Sequence, residues 1–534
     1  MTTRDWSDRD GAMVAGLMQK GMGRRDVLRM LTAGGLAMTS AGAMLTHAGR
    51  AFAQTPVRGG SIRVAGITSS NADTLDPAKA SNQTDYIRAC AFYNRLTVLD
   101  NGGLPQMDLA ESVDSADAKT WTIRLKSGVT FHDSKSLTSA DVVYSLQRHL
   151  DETVGSKVNS IAKQMTTIRA VDDLTIEVGL DTANADLPTI LALHHFMIVA
   201  DGTTDFTKGN GTGPFICESF EPGVRAIGVR NPNYFKDGKP YLDSFEHFGI
   251  ADNSARVNAL LSGDVHLASS VKPQYLRLVE NNPAIALVTT NAGNYTNLNV
   301  RLDLEPGMKA GFAEGLKHLL NRELIVNSIL RGVGEIGNDQ PIPSASFYYN
   351  HELPAKPFDP EKARFLFEKA GLLGQTIPIV ASDAADASVE MATVLQQAGA
   401  EIGMKFEIQR VPSDGYWSNY WLKSPVHFGN INPRPTPDIY FSLLYASDAP
   451  WNESQYRSEA FDKLLLEARG LLDLERRKEI YHQMQVMIAG EAGTAIPARS
   501  GTIDAMTSKL KGFEANPLGG LMGYAFSEHV WLEA

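Results

Sequence analysis

The sequence predicts an α/β or α+β protein with more than one core, and three observations carry this. The chain has 534 residues, several times the roughly 100–200 that one core commonly serves. Its composition, 43% hydrophobic and 21% charged, is that of a globular chain able to bury large cores. Alternating apolar runs mix with helix-period runs along its whole length, without an internal repeat or a low-complexity tract.

The elements follow in order. "GGSIRVAG" at 59–66 alternates and ends in glycine, as a first strand does. At 120–133, Trp121, Ile123 and Leu125 face one way, Ser127-Gly128 turns the chain, and Val129 and Phe131 resume the alternation. That pattern predicts a hairpin. A helix is expected over 137–150, with Thr138 as N-cap and Asp141 at its third position answering the exposed amides. Val142, Val143, Leu146 and Leu150 form its apolar stripe. A second hairpin occupies 168–180 and turns at Asp172-Asp173. At 252–268, a short helix with Val257, Leu260 and Leu261 on its buried face closes at Gly263 and leads into a strand. A strand at 294–300 precedes a helix pair at 311–332, the second capped by Asn321 and stopped by Gly332. Near the C-terminus, Gly470 ends one helix and Asp473 caps the next, whose apolar face is Ile480, Tyr481, Met484, Met487 and Ile488.

Residues 1–53 read as an address label. Arg24-Arg25-Asp26-Val27-Leu28 precedes an uncharged run from Met30 to Thr46, and Ala51-Phe52-Ala53 is a small-x-small cleavage pattern. The run is about 17 residues, the short edge of a bilayer span, and Gly34, Gly35 and Gly42 make it weakly apolar. The layout resembles a twin-arginine export signal cleaved after Ala53; a retained N-terminal anchor is the other reading. This segment holds seven Lys/Arg and four Asp/Glu, a local +3, which leaves −14 of the chain's −11 on residues 54–534. Such an acidic product disfavours non-specific nucleic-acid binding. No later uncharged run reaches membrane length, so the product is expected to be soluble and periplasmic. Twin-arginine export takes folded cargo, which keeps an exported enzyme in view.

Other chemical signals are weak. Cys90 and Cys217 are too few for a disulfide framework; two buried thiols or one bridge both fit. "GNGTGPF" at 209–215 lacks the Lys-Ser/Thr of a phosphate loop and reads as a turn. His194-His195 has no partner histidine at helical spacing, and no GxSxG elbow occurs.

Ordered motifs carry a more specific signal. Leu75-Asp76-Pro77 and Tyr93-Asn94-Arg95-Leu96 come first. Trp121, Lys126-Ser127-Gly128-Val129, Phe131-His132-Asp133 and Ala140-Asp141-Val142 follow. "GTGPF", "RNPNYF", "LNREL", "FDPEKARFLFEKAG", "AFDKLLLEA" and "ERRKEIYHQMQVMI" complete the series. Over nearly all of residues 58–505 the chain resembles the solute-binding proteins of peptide-type ABC importers, the family of oligopeptide-, dipeptide- and nickel-binding proteins. The resemblance implies an α/β, two-lobed periplasmic binding protein fold, with mixed sheets in each lobe and an extra subdomain in lobe I. Lobe I is expected at 54–295 with 508–534 returning to it, and lobe II at 296–507. A small-molecule ligand, peptide-like or an organic acid, would be enclosed by hinge closure and passed unaltered to an ABC permease and ATPase complex in the inner membrane. A monomer without a cofactor is implied, His132-Asp133 being structural. An exported enzyme acting on a small organic substrate and a metal-chelate carrier on the same fold are the alternatives.

Peptide binders of that family carry Trp-x-x-Asp-Tyr-Pro-Asp-Pro near the ligand, and the first Asp pairs with the peptide's amino terminus. Here "NINPRPTPDIYF" at 430–441 takes the place, with Pro433 for that Asp and Arg434 for the Tyr. An ammonium needs an anionic acceptor, whereas a guanidinium offers paired donors to a carboxylate or phosphate. Arg434 is therefore expected either to hold an anionic group of the ligand or to pair with a neighbour such as Asp438. Tyr295, Asn297, Asn430, Asn432, Tyr440, Trp451 and Asn452 are further ligand-binding candidates, as polar and aromatic groups that suit a small polar organic ligand. Trp417 and Trp421 are assigned to packing.

Overall fold

The structure, a computed structural model, describes residues 56–533; the expected export signal and its expected cleavage after Ala53 lie outside them. One mixed sheet of twelve strands runs through the whole molecule. Its main path is Lys405–Arg410, Thr376–Ala381, Val426–Ile431, Ile285–Val300, Ala498–Thr507, Leu267–Ala268, Ser61–Gly66, Ser244–Gly249, Arg225–Arg230 and Phe215–Glu221. The first three strands belong to one lobe and the last five to the other.

The two long middle strands are common to both lobes. Residues 285–290 of one pair with 502–507 of the other; register then slips between Thr290 and Asn294, and Tyr295–Val300 goes on to pair with Val426–Ile431. Gly293, in the slip, has φ +79°, and a Cβ there would lie 2.6 Å from Pro343 Cγ. A side chain is thus excluded by both backbone and space.

Each body has its own core. Val64, Ile87, Phe92, Phe215 and Phe245 fill lobe I. Leu316, Phe367, Ile379, Leu395 and Phe428 fill the sheet side of lobe II, and Tyr440, Phe441, Phe461 and Tyr481 its helical side. A separate four-stranded antiparallel sheet, in the order Ala110–Ser115, Thr120–Leu125, Thr175–Leu180 and Met165–Asp172, makes a subdomain. Val142 and Leu146 of the helix Ser139–Arg148 pack on it.

Local signals are followed closely. Thr138 N donates to Asp141 Oδ2 at 2.8 Å, and Asp473 Oδ1 accepts from Arg476 N at 3.0 Å, at the two expected helix starts. The hairpin expected at 120–133 does not form. Thr120–Leu125 pairs instead with Ala110–Ser115 and Thr175–Leu180, and beyond the turn only Thr130 bridges Ser136. Val129 and Phe131 are buried all the same: alternation names the buried face of a strand, not its partner. Leu261 is exposed, not buried; Arg256 takes the inner position on the helix Asn253–Ser262 and donates to Ser269 O and Ile250 O. Cys90 and Cys217 are both free thiols. Among the described residues no helix is long and apolar enough to cross a membrane.

Candidate functional site

Where the two shared strands cross from lobe to lobe, the bodies they join leave a cavity of about 500 Å³ between them. Lobe I lines it with the end of the helix Gln83–Phe92 and the chain beyond it (Tyr93, Asn94, Arg95), the segment 192–197, and the returning tail from Glu514 to His529. Lobe II contributes Ile342 to Ser346 and the loop from Pro433 to Pro437, with Tyr440 behind it.

The lobe I wall is a closed charge network. Lys236 Nζ lies 2.7 Å from Asp108 Oδ1 and 3.1 Å from Glu528 Oε2, and Lys239 Nζ lies 3.1 Å from Glu528 Oε1. Asn94 Nδ2 donates to Asp108 Oδ2 at 3.1 Å, and the Tyr234 hydroxyl to Glu528 Oε2 at 3.1 Å. Burial alone would push the Glu528 carboxyl up, but the charges of Lys236, His529 and Lys239 outweigh it and hold it at about 2. His194, its Nε2 3.1 Å from Gly523 O, is kept neutral by burial, which puts its pKa well below the usual histidine range. The tail that completes this wall is held by Asp504, which accepts from Leu521 N at 2.6 Å and Ser270 N at 3.1 Å.

On the lobe II side, Arg434 sits between the strand Val426–Ile431 and the helix Pro437–Leu444. Its guanidinium carbon lies 5.5 Å from the centroid of the Trp451 ring, and its Nε is buried with no protein acceptor. Asp438, the local carboxylate it could have paired with, is taken by Arg469 at 2.9 Å. Tyr440 is buried beside it with an unpartnered hydroxyl, its pKa pushed up to about 12 by burial.

The structure thus brings Arg434 and Tyr440 to the cavity, with Trp451 against Arg434. The other sequence candidates do not line it. Asn297 Nδ2 binds Glu453 Oε2 at 2.5 Å and Asn299 Oδ1 at 3.0 Å. Asn430 Nδ2 crosses to Thr296 Oγ1 at 3.1 Å. Asn452 ties its own loop through Ala446 O and Tyr456 O. Tyr295 is buried on the shared strand, and Asn432 is exposed. Trp421 packs edge-to-face against Trp451 and donates its Nε1 to Glu453 Oε1 at 2.6 Å. Sequence reasoning did not name Arg95 or Lys236 as site residues, set His194 aside, and returned the tail to lobe I without assigning it to a site. Arg95 stood inside a quoted motif, but nothing local says that its side chain reaches a cavity. Among the described residues, no group of three or more His, Cys, Asp or Glu is placed to hold a metal.

The family model for the middle part of the bacterial extracellular solute-binding proteins, family 5, matches residues 105–453. The chain belongs to that family. The protein is accordingly a solute-binding receptor of an ABC importer, and its work is capture and delivery, not catalysis. It is 24% identical over 490 residues to di/tripeptide-binding protein 1 of Pseudomonas aeruginosa, covering 83% of this chain and 90% of that protein. It is 25% identical over 471 residues to heme-binding protein A of Haemophilus influenzae, covering 80% of this chain and 85% of that one. The solved structure of HbpA2 from Haemophilus parasuis superposes with a TM-score of 0.80 at 21% identity, over 89% of this chain and all of that one, which establishes the two-lobed binding-protein fold. The cavity between the lobes is where a receptor of this architecture encloses its solute.

Proposed function

We propose that this receptor works in a periplasm and takes a small polar organic ligand, peptide-like or an organic acid, whose acidic group is held by Arg434. The observation that carries the reading is Arg434 itself: it lines the cavity, rests on Trp451, and makes no salt bridge among the described residues. A guanidinium left without an anion on a partly desolvated wall favours a ligand that brings one. Relatives named for di/tripeptides and for glutathione, all with carboxylates, are consistent with that class. Closure would turn on the register slip at Thr290 to Asn294, where the shared strands change lobes. The closed receptor would then engage a permease and its ATPase.

Mass spectrometry of what co-purifies from native cells identifies the ligand, and calorimetry with the Arg434→Ala variant tests the site. Affinity about 10- to 100-fold weaker is expected; unchanged affinity removes the reading. The periplasmic assignment rests on the leader. Replacing Arg24-Arg25 by Lys-Lys is expected to leave uncleaved protein in the cytoplasm, and normal export of that variant would overturn the twin-arginine route.

A further inference from the structure

We propose that the ligand is a small dianion, with one acidic group for each lobe: Arg95 of lobe I receives one and Arg434 of lobe II the other. This rests on the cavity being the solute site, as read above, and adds the second anchor and the ligand's charge.

The cavity's charges sort cleanly. Lys236 and Lys239 are matched by Asp108 and Glu528 in one network. Glu514, also on the lining, is exposed to solvent. His194 is neutral. Apart from Glu514, the charges left on the walls are two guanidinium groups, and neither Arg95 nor Arg434 makes a salt bridge among the described residues. Arg95 is only 9% exposed, and its side chain makes a single hydrogen bond, from Nη1 to Ala192 O at 2.7 Å. Asp108 accepts from the Arg95 backbone N at 3.4 Å but gives its charge to Lys236. A guanidinium has five N–H donors, so Arg95 leaves most of its fork without a protein acceptor.

Shutting two cations so placed away from water is costly unless something neutralises them. Because they stand on different lobes, the cost bears on closure. A monoanion would satisfy one arginine and shut the other, unpaired, into the closed cleft. A molecule with two separated acidic groups satisfies both only when the lobes come together, so it is ligand and latch in one.

Calorimetry on the processed protein tests this with α,ω-dicarboxylates from succinate to azelate, N-acetylglutamate, and the corresponding monomethyl esters and N-acetylglutamine. The diacids are expected to bind and their monoanionic partners to bind about 10- to 100-fold more weakly. Arg95→Gln and Arg434→Gln should each reduce the best diacid to the level of its monoester, and Arg95→Lys should restore part of the loss. A purely bracing role for Arg95 would lower the melting temperature without separating diacid from monoester. Monoesters that bind as tightly as diacids, or no binding by any diacid, overturn the dianion. Diacid affinity lost in Arg434→Gln but kept in Arg95→Gln overturns the two-lobe anchor and leaves the single-arginine reading standing. Loss in neither variant removes both.

Discussion

Asp438 Oδ1 lies 2.9 Å from Arg469 Nε, while Arg434, four residues before Asp438, rests on the face of Trp451 instead. The helix Pro437–Leu444 therefore turns its first-turn carboxylate toward a neighbouring helix, Glu459–Arg469, and not toward the cavity loop. That choice of partner is what leaves Arg434 free.

The two arginines should respond differently to substitution. Arg469→Met leaves a largely buried Asp438 without its partner and is expected to cost about 2–3 kcal/mol, at the lower end for such pairs because Arg469 keeps 27% of its side chain exposed. Arg434→Met loses only a contact with an aromatic face, about 0.5–1 kcal/mol, and removes an unpaired cation. Urea unfolding of the ligand-free protein at neutral pH measures both. Equal losses would mean that Arg434 is part of the structural ion pairing after all.

Gly293 is the point at which a small change should reach the ligand without touching it. Its φ of +79° and the 2.6 Å from a Cβ to Pro343 Cγ both oppose a side chain. Gly293→Ala is expected to destabilise by about 1–2 kcal/mol. It should also weaken binding of the co-purified ligand, since the slip it occupies joins the halves of the shared strand. A variant with wild-type melting and wild-type affinity would show that the slip tolerates a side chain and does not govern closure.

How much of this was legible depended on distance along the chain. The Thr138–Asp141 and Asp473–Arg476 caps span three residues and could be read directly. The pairing of Thr120–Leu125 could not, because one of its two partners begins fifty residues later and alternation carries no register. In the cavity, Arg434 was legible through a departure from a family motif. Arg95 was hidden because its acceptor, Ala192 O, is 97 residues away. The Lys236–Glu528 wall was hidden for the same reason, its members being 292 residues apart. Asn297 and Asn452 show the converse: amides near a shared strand look like ligand contacts until the backbone and carboxylate groups they bind are seen.

Glu453 sets a pH dependence of a definite sign. It is 4% exposed, accepts from Asn297 Nδ2 and Trp421 Nε1, and is packed so closely that a Cβ on Gly429 would overlap its Oε1. Burial pushes its carboxyl up to about 7, only partly offset by the bonds from Trp421 and Asn297. A carboxyl whose folded pKa lies above its unfolded value favours the folded state when protonated. Its contribution is therefore full below about 4.5 and is lost as pH rises through about 7, on the order of 3 kcal/mol. Asp438 and Asp504, each raised to about 6 by burial, act in the same direction. Glu528, held at about 2, acts oppositely, and its contribution is lost as pH falls from about 4.5 toward 2. Buried histidines held neutral, His149, His194, His247 and His427 among them, gain stability as pH rises toward about 6.5, so the Glu453 contribution is read from the difference between variant and wild type. Glu453→Gln removes this titration, so the variant's urea midpoint should rise relative to the wild type's as pH goes from about 4.5 to about 7. Parallel profiles for the two proteins would show that Glu453 ionises without cost and that its surroundings are more polar than the packing indicates.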